Sequence, residues 1–315
     1  METLTLIFAS YNGAHTLPRM LEALCGLAPT RRRLRVLAVD NGSTDGSGPI
    51  MAGYRERLPL TVLTCPQRGK NHALNLALAE GVGELVVFTD DDVLPAPDWL
   101  QQLEAAADAQ PEADLFGGAI LPYWEREPEP WLLAHTPRGV TWALTSPEQP
   151  AGPVFPGLIW GPNMMVRGKV FAAGHRFNTA VGPAQGQYIM GSETEFTLRV
   201  AALGHACRFV PEARVQHIIR PQQTDPAWIV QRAWRFGRNQ YLQEARGLVP
   251  PGAAALTADV PRLAGVPRWM FRRYLGHALG YLGARLRDRE EGMFTHAWEM
   301  AYLRGYFHQA WRGRG

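Results

Sequence analysis

Short apolar runs alternate with amphipathic segments along the first third of the chain. Runs of four to eight residues rich in β-branched side chains predict buried strands, and apolar positions repeating every three to four residues predict helices. The predicted strands cover residues 4–9, 34–39, 60–65, 85–89 and 115–120. The predicted helices begin after Thr16 and cover 71–80 and 99–109. Strands that alternate with helices indicate an α/β fold with a mostly parallel sheet.

The pattern changes in the rest of the chain. Residues 122–161 are rich in Pro, Trp and Gly and predict long loops over a surface cleft. Further strands are expected at 160–166, 207–210 and 214–218, and a helix at 193–203. Beyond Pro221 the pattern is helical. We therefore expect a catalytic domain at residues 1–222 and a helical C-terminal extension at residues 223–315.

Three carboxylates, those of Asp90, Asp91 and Asp92, close the predicted strand at 85–89. Like charges this close repel one another unless a cation lies among them. The C-terminal edge of a parallel sheet is where α/β proteins bind ligands. A divalent cation carrying a phosphorylated ligand would explain the triplet. A solvated turn before the next helix explains it equally well, because short acidic turns are common.

Composition narrows the class of protein. The 315 residues are 46% hydrophobic and 19% charged, which is ordinary for a globular protein. Cys25, Cys65 and Cys207 are scattered, which argues against a disulfide framework or a structural zinc site and suits a reducing compartment. The sequence shows neither the pattern of a secretory signal nor an apolar run long enough to span a bilayer. A cytoplasmic location is expected.

Positive charge is concentrated in the C-terminal segment. Residues 261–315 carry ten arginines and four carboxylates, a net charge of +6, whereas the whole chain is at +3. Basic and aromatic residues interleaved on helices can lie on an anionic membrane surface, which would make the protein peripheral on the cytoplasmic face. A helical subdomain that packs its aromatic residues on the catalytic domain explains the pattern equally well. Binding to nucleic acid is not expected, because no recognition motif accompanies the charge.

Seven polar motifs follow one another in order along the chain. They are Ser10-Tyr11-Asn12, residues 39–46 with Asp40, residues 69–75 with Lys70 and Asn75, Asp90-Asp91-Asp92, residues 161–167, residues 191–199 and residues 210–217. In this order and spacing, over roughly residues 4–240, the chain resembles the family 2 glycosyltransferases, which have the GT-A fold. The resemblance implies an inverting, metal-dependent enzyme. Such an enzyme moves a sugar from a nucleotide-diphosphate donor, most often a UDP-sugar, to a hydroxyl of a glycan or lipid-linked glycan.

The resemblance also implies roles for single residues. It assigns Mn²⁺ or Mg²⁺ chiefly to Asp92, with Asp90 and His217 as further contacts. It assigns the donor to Ser10, Tyr11, Asn12, Asp40, Lys70, Asn75, Asp90 and Asp91. It places Trp160 and Asn163 near the acceptor or the sugar. Simpler explanations stay open, because Asn and Asp favour turns, a lone His at a strand end is often structural, and Trp160 suits a core.

An inverting transfer also needs a general base for the acceptor hydroxyl. Glu193 stands where the family usually has an Asp, and Ser192 stands where it usually has a Glu. The carboxylate of Glu193 therefore reaches one methylene further than the family's base. Glu195 is the second candidate. Capping is the other explanation for Glu193, because the start of a helix favours carboxylates.

Three other functions compete with this interpretation of the sequence. A nucleotidyltransferase would carry a Gly-rich, basic loop after the first strand, and residues 10–15 lack one. A dinucleotide-binding oxidoreductase is disfavoured, because no Gly-x-Gly-x-x-Gly follows that strand. A catalytically weak protein that binds sugar nucleotides or glycans stays open, because the pair Ser192-Glu193 departs from the family pattern.

Overall fold

The computed structural model describes residues 2–182, 189–248 and 260–312. The chain divides into two compact units, each described here by itself. The sheet unit comprises Met1–Tyr123, Ala143–Tyr188 and Ser192–Ile218, and the helical unit comprises Trp124–Trp142, Ile189–Gly191 and Ile219–Gly315. The expected division at residues 222 and 223 stays a prediction.

The elements follow the alternation seen in the sequence. The strands are β1 (Thr3–Ser10), β2 (Arg33–Asp40), β3 (Leu60–Thr64), β4 (Leu85–Asp90), β5 (Val93–Pro95), β6 (Ala113–Trp124), β7 (Gly152–Pro153), β8 (Met164–Arg167), β9 (Ala206–Ile219), β10 (Arg262–Leu263) and β11 (Val266–Pro267). The helices are α1 (Leu17–Cys25), α2 (Ser47–Ala52), α3 (Lys70–Ala79), α4 (Trp99–Ala109), α5 (Pro130–His135), α6 (Arg138–Trp142), α7 (Gly168–Ala172), α8 (Ser192–Ala201), α9 (Pro226–Ala245), α10 (Arg268–Leu286) and α11 (Glu290–Arg312).

The main sheet is mixed. Its strand order is β3-β2-β1-β4-β8-β6-β9-β5, and β7 pairs with β9. The pairs β3–β2, β2–β1 and β1–β4 are parallel, whereas β8 runs antiparallel to β4 and β6, and β9 runs antiparallel to β5 and β7. The expected parallel pairing thus holds for the first four strands only. Antiparallel strands need no helical crossover, so the alternation of strands and helices could not predict the second half of the sheet.

The central strands β1 and β4 are apolar and buried because both faces of the sheet are covered. Leu4, Leu6, Ile7 and Phe8 are fully buried in β1. The ring of Phe88 in β4 makes edge contacts with two phenylalanines, Phe171 at 5.8 Å and Phe177 at 5.2 Å between ring centres. Rigid packing of this kind fixes the points at which the strands end.

The segment 122–161 was wrongly expected to be mostly loop. β6 continues to Trp124, and α5, α6, β7 and short 3₁₀ turns follow. In the helical unit, the buried Trp142 donates its indole N–H to the carbonyl of Gln223 at 2.9 Å. A Pro- and Trp-rich segment can therefore be ordered by single buried anchors that leave no periodic pattern in the sequence.

The helical unit is built on the close contact of α9 with α11. A Cβ atom on Gly237 would meet the backbone of Tyr302, and one on Gly305 would meet the backbone of Trp234, so glycine is required at both positions. The apolar core contributed by α10 and α11 is formed by Met270, Leu303, Tyr306, Phe307 and Ala310. Within the described residues, no helix combines the length and apolar character needed to cross a membrane.

Candidate active site

The C-terminal ends of β1, β2 and β4 lie side by side at one edge of the sheet. Ser10 is in register with Asp40, and Ala9 is in register with Asp90. The polar residues that follow the three strands therefore meet there, as the sequence predicted. This edge is the usual ligand-binding edge of an α/β sheet.

Asp91 is held by β1. The hydroxyl of Ser10 donates to Oδ2 of Asp91 at 2.5 Å, and a Cβ atom on Gly13 would collide with both groups. Burial, together with the negative charge of Asp92, raises the pKa of Asp91 to about 7, against the lowering effect of the Ser10 hydrogen bond. Ser10 and Asp91, both predicted to contact the donor, thus bind each other and shape the loop after β1.

Asp92 and His217 face each other across the pair β5–β9. Val93 is in register with His217, and the amide of Ile218 donates to the carbonyl of Asp92 at 2.8 Å. Nε2 of His217 lies 3.5 Å from Oδ1 of Asp92. Both side chains are largely buried, with a carboxylate oxygen and an imidazole nitrogen in one place.

This pair fits one side of a divalent cation. Among the residues that the structure describes, no three His, Cys, Asp or Glu side chains come close enough to enclose a metal ion. A cation held here would need further oxygens from a bound ligand, which is how Mg²⁺ is commonly held between one or two carboxylates and phosphates. Of the predicted metal contacts, the structure brings together Asp92 and His217, whereas Asp90 is engaged by Lys70.

Lys70 bridges two carboxylates that are far apart in sequence. Its Nζ lies 2.5 Å from Oδ1 of Asp90 and 2.5 Å from Oε1 of Glu193. Burial lowers the pKa of Lys70, but the charges of Asp90 and Glu193 raise it more, so the ammonium stays protonated. Burial has the larger effect on Asp90 and raises the pKa of its carboxyl, although Lys70 opposes this. At Asp90 the structure thus places a lysine, and the predicted role of Asp90 in holding a divalent cation stays a prediction.

Asn41 positions Lys70, and sequence reasoning gave it no role. Its buried amide donates to the carbonyls of Cys65 at 3.2 Å and Gln67 at 2.8 Å. Its Oδ1 accepts the N–H of Gly69 at 2.8 Å. Gly69 has a φ of 131°, a value that favours glycine. The only signal in the sequence was an Asn directly after the last residue of a strand.

The two candidate bases differ in their surroundings. The side chain of Glu193 is 15% exposed, and its Oε1 meets Lys70 as an ion pair. A Cβ atom on Gly161 would strike the Glu193 side chain, so the turn at 161–163 lies against it. The side chain of Glu195 is 5% exposed and accepts two hydrogen bonds from Arg199, at 3.0 and 3.3 Å. Only Glu193 is placed beside Asp90.

Two predicted contacts are amide side chains that hydrogen-bond to other parts of the protein. Asn75 exchanges two hydrogen bonds with the backbone of Phe177, at 2.8 and 2.9 Å. Asn163 is 0% exposed; its Oδ1 accepts the indole N–H of Trp99, and its Nδ2 donates to the carbonyls of Ala119 and Ala213. Both amides bind other parts of the protein and position the loops around the site, and their assigned contacts with the donor and with the acceptor or sugar stay predictions. Trp160, before this turn, is partly exposed.

Replacing Asn163 by Ala is expected to destabilise the fold rather than to remove a ligand contact. The change removes the acceptor of the buried indole N–H of Trp99 and takes one donor away from each of two backbone carbonyls. At about 1–3 kcal/mol for each unpaired buried group, a loss of roughly 3 kcal/mol in the free energy of unfolding is expected. Urea denaturation measures it, with Gln101→Ala as the control, because Gln101 makes one exposed hydrogen bond from α4. Equal midpoints for the two variants would contradict the positioning role.

The loop after β1 presents an aromatic side chain. Tyr11 is 49% exposed, and the guanidinium of Arg68 lies 5.1 Å from its ring centre while donating to its hydroxyl at 3.1 Å. Asn12, with a φ of 54°, accepts the N–H of Thr44 at 2.9 Å. Asp40 accepts the N–H of Ser43 at 2.9 Å. The loops after β1 and β2 are thus tied together beside an open aromatic face.

Comparison with known proteins identifies the family. A family model described as glycosyl transferase family 2 matches residues 5–190, more than half of the chain. The chain belongs to this family. The matched region contains the ends of β1, β2 and β4 together with the acidic triplet, and the predicted family membership is confirmed.

Two named proteins are similar in sequence to most of this chain. The succinoglycan biosynthesis protein ExoM of Rhizobium meliloti is 27% identical over 240 residues, which cover 73% of this chain and 74% of that protein. A glucosyl-dolichyl phosphate glucuronosyltransferase of Haloferax volcanii is 24% identical over 234 residues, covering 72% of each. The prediction that the chain is a glycosyltransferase is confirmed.

Solved structures confirm the GT-A fold. A mannosyltransferase of Pyrobaculum calidifontis, solved with GDP-Man and Mn²⁺, aligns with a TM-score of 0.62 at 21% identity over 98% of this chain and 87% of the other. S. aureus TarS 1-349 in complex with UDP-GlcNAc aligns with a TM-score of 0.53 at 16% identity over 98% and 92% of the two chains. The mixed sheet flanked by helices is thus that of the GT-A glycosyltransferases.

Proposed function

We propose that this glycosyltransferase is an inverting enzyme that transfers a sugar from a nucleotide-diphosphate donor to a hydroxyl of a glycan or lipid-linked glycan. One observation carries the proposal. Lys70 joins Asp90, at the end of β4, to Glu193, at the start of α8, with 2.5 Å contacts on both sides. A carboxylate of the donor edge and a candidate base are thereby held in one site.

The donor is proposed to lie across the ends of β1, β2 and β4. The exposed ring of Tyr11 offers a stacking surface for the base, and Asn12 and Asp40 hold the loops on either side of it. The Asp92–His217 pair lies at the other end of the acidic triplet. This arrangement suits a nucleoside whose diphosphate extends toward that pair.

Glu193 is proposed to act as the general base. Its carboxylate takes the proton of the acceptor hydroxyl while the acceptor oxygen forms a bond to C1 of the sugar. The bond from C1 to the diphosphate oxygen breaks on the opposite face, and its electron pair leaves with the nucleoside diphosphate. Attack opposite the leaving group inverts the configuration at C1. Glu193 needs no second carboxylate for this, so the Ser at position 192 does not prevent transfer.

Asp92 and His217 would hold the divalent ion, Mn²⁺ or Mg²⁺. When bound, such an ion supplies electrostatic stabilisation for the negative charge that develops on the diphosphate. An imidazole nitrogen beside a carboxylate oxygen favours Mn²⁺ over Mg²⁺, because Mg²⁺ takes oxygen ligands almost exclusively. The P. calidifontis relative was solved with Mn²⁺, which supports the same choice here.

The nucleotide and the acceptor are proposed more broadly. UDP is the first choice for the nucleotide, and because one structural relative holds GDP-Man and another UDP-GlcNAc, both nucleotides have to be tested. The names of the sequence relatives refer to succinoglycan and to a dolichyl phosphate, which supports a saccharide or lipid-linked saccharide acceptor. Such an acceptor suits a protein of the cytoplasm or of the cytoplasmic face of a membrane.

Asp92→Ala is expected to abolish metal-dependent binding of the donor. The experiment is a thermal-shift panel of UDP, GDP and their sugars with and without Mn²⁺. In the wild type, one nucleotide should raise the melting temperature only with the metal, because binding to the folded state stabilises it by mass action. In Asp92→Ala the shift should vanish. Glu56→Ala, at an exposed carboxylate outside the site, should keep it.

The panel also separates the competing functions. Metal-dependent stabilisation followed by release of the nucleoside diphosphate in the presence of an acceptor supports an enzyme. If the donor raises the melting temperature but no acceptor of a broad panel leads to release of the nucleoside diphosphate, a sugar-nucleotide-binding protein is favoured. If no nucleotide shifts the melting temperature of the wild type, the proposed donor site is wrong.

A further inference from the structure

Helix α10 carries a second apolar face that no described residue covers. Leu275, Leu279, Leu282 and Leu286 are spaced by four, three and four residues, so they form one stripe along the helix. They are 62%, 71%, 54% and 88% exposed. We call this stripe the leucine face. Single exposed leucines are ordinary, but a contiguous row of four on one helix marks a binding surface.

Helix α10 packs on α11 through side chains other than these leucines. Met270 lies in the apolar core, and Phe271 and Tyr274 pack around Phe307. Arg273 pairs with Glu299 at 2.9 Å, and a Cβ atom on Gly280 would strike the ring of His296. Helix α10 is thus fully docked on α11 without using its leucines. The leucine face does not serve to hold the helical unit together.

Cations accompany the leucine face. Arg268 and Arg272 lie on the same side of the helix, two turns and one turn before Leu275 respectively, and both are exposed. Arg285 and Arg287, also exposed, flank its other end. Three carboxylates, those of Asp288, Glu290 and Glu291, lie beyond the last leucine, in the turn and at the start of α11. The charge along the helix itself is therefore positive.

We propose that the leucine face of α10 binds an anionic lipid bilayer. A helix lying in the membrane interface buries an apolar stripe at the level of the acyl chains while its basic residues contact anionic headgroups. The row of leucines and the flanking arginines supply both parts. A second copy of this chain, packed antiparallel on this face, would bring Arg268 and Arg272 of one copy toward Arg285 and Arg287 of the other. The cations on the helix therefore favour an anionic lipid surface over a second copy. The charge of the C-terminal segment alone does not say which residues would contact a membrane. The leucine face assigns the membrane contact to one side of helix α10.

Membrane binding would give the proposed transferase access to lipid-linked acceptors, and in that sense it rests on the proposed function. Its test does not depend on the donor. Donor-dependent melting shifts can be measured on every variant below in solution. A protein that binds its nucleotide but not vesicles would overturn the membrane proposal alone, and one that binds vesicles but no nucleotide would overturn the proposed function alone.

Flotation with vesicles of phosphatidylcholine and phosphatidylglycerol tests the proposal on the full chain. The wild type should float at low salt and bind much less to vesicles of phosphatidylcholine alone. The double variant Leu279→Ser/Leu286→Ser should bind anionic vesicles more weakly than the wild type by roughly tenfold or more, because two leucines no longer enter the interface. Arg268→Gln/Arg272→Gln should lose roughly tenfold on anionic vesicles only, since each cation near the surface adds to binding.

Leu203→Ser provides the matched control. Leu203 is 63% exposed, close to the 62% of Leu275, but it follows α8 in the sheet unit. This variant should float like the wild type. Circular dichroism and melting temperature should be unchanged in all variants, because the altered side chains contribute little to the folded core.

Three results would overturn the proposal. The first is a wild type that stays unbound on anionic vesicles at low salt. The second is a leucine variant that floats as well as the wild type. The third is a wild-type dimer, seen by light scattering in the absence of lipid, that the leucine variant converts to a monomer, because then a second copy covers this face.

Discussion

Glu193→Gln is expected to remove most of the transfer activity and to leave donor binding in place. Glutamine keeps the size of the side chain but cannot take a proton from the acceptor hydroxyl. A positioned general base contributes about 10²–10⁴-fold, so kcat should fall by about that factor. Steady-state kinetics with the donor found in the thermal-shift panel measures the fall. The donor-dependent melting shift should stay close to that of the wild type, because Lys70 still binds Asp90.

Two variants control for the position of the carboxylate. Glu193→Asp restores the residue type that the family usually has, with a shorter reach, and should retain more activity than Glu193→Gln. Glu195→Gln alters the carboxylate that binds Arg199 and should lower stability while leaving kcat within a few-fold of the wild type. Full activity in Glu193→Gln together with its loss in Glu195→Gln would transfer the role of base to Glu195.

The ligand-binding edge of the sheet could be predicted because each strand and each polar strand end follows from a local pattern in the sequence. Strands β1, β2 and β4 are short apolar runs, and the polar residues that end them are visible in the sequence. Parallel strands that alternate with helices bring those ends to one edge. The repulsion of like charges predicted separately that the acidic triplet needs a positive charge among its carboxylates.

The contact of Lys70 with two carboxylates of the site could not be predicted. Lys70, Asp90 and Glu193 lie on three different elements, and the turns that aim them depend on the buried amide of Asn41 and the space left by Gly161. A local pattern cannot show contacts between residues so far apart in sequence. The hydrogen bonds of Asn163 with Trp99 and with two backbone carbonyls could not be predicted either, because these partners lie far away in sequence.

Lys70→Met is expected to impair donor binding, transfer and stability together. Without the ammonium, the carboxylates of Asp90 and Glu193 share a largely buried space with no cation between them. Removing one partner of a buried ion pair costs about 3–5 kcal/mol, and partial exposure of these groups reduces the expected loss to about 2–3 kcal/mol. A base displaced by about 1 Å loses on the order of 10²-fold in rate, so kcat/KM should fall at least that far. Urea denaturation and initial-rate kinetics measure the two effects.

Lys169→Met is the matched control, because Lys70 and Lys169 are the only lysines in the sequence. Lys169 also pairs with a buried carboxylate, Asp114 at 2.6 Å, but its own side chain is 59% exposed and it lies in α7. This variant should retain transfer and donor binding. Equal activity in the two lysine variants would contradict the bridging role of Lys70.

A double-mutant cycle tests whether Lys70 acts through Glu193. In Glu193→Gln the general base is already absent. Displacing the side chain at position 193 by a second substitution should therefore lower kcat only a little further. The losses in kcat of Lys70→Met and Glu193→Gln should therefore be far from additive, with a coupling of about 1–3 kcal/mol, as is usual for residues in direct contact. Donor binding should show a different pattern, because there Lys70 acts through Asp90. Additive losses in kcat would mean that the lysine serves the donor alone and that Glu193 is positioned by other groups, the turn at 161–163 first among them.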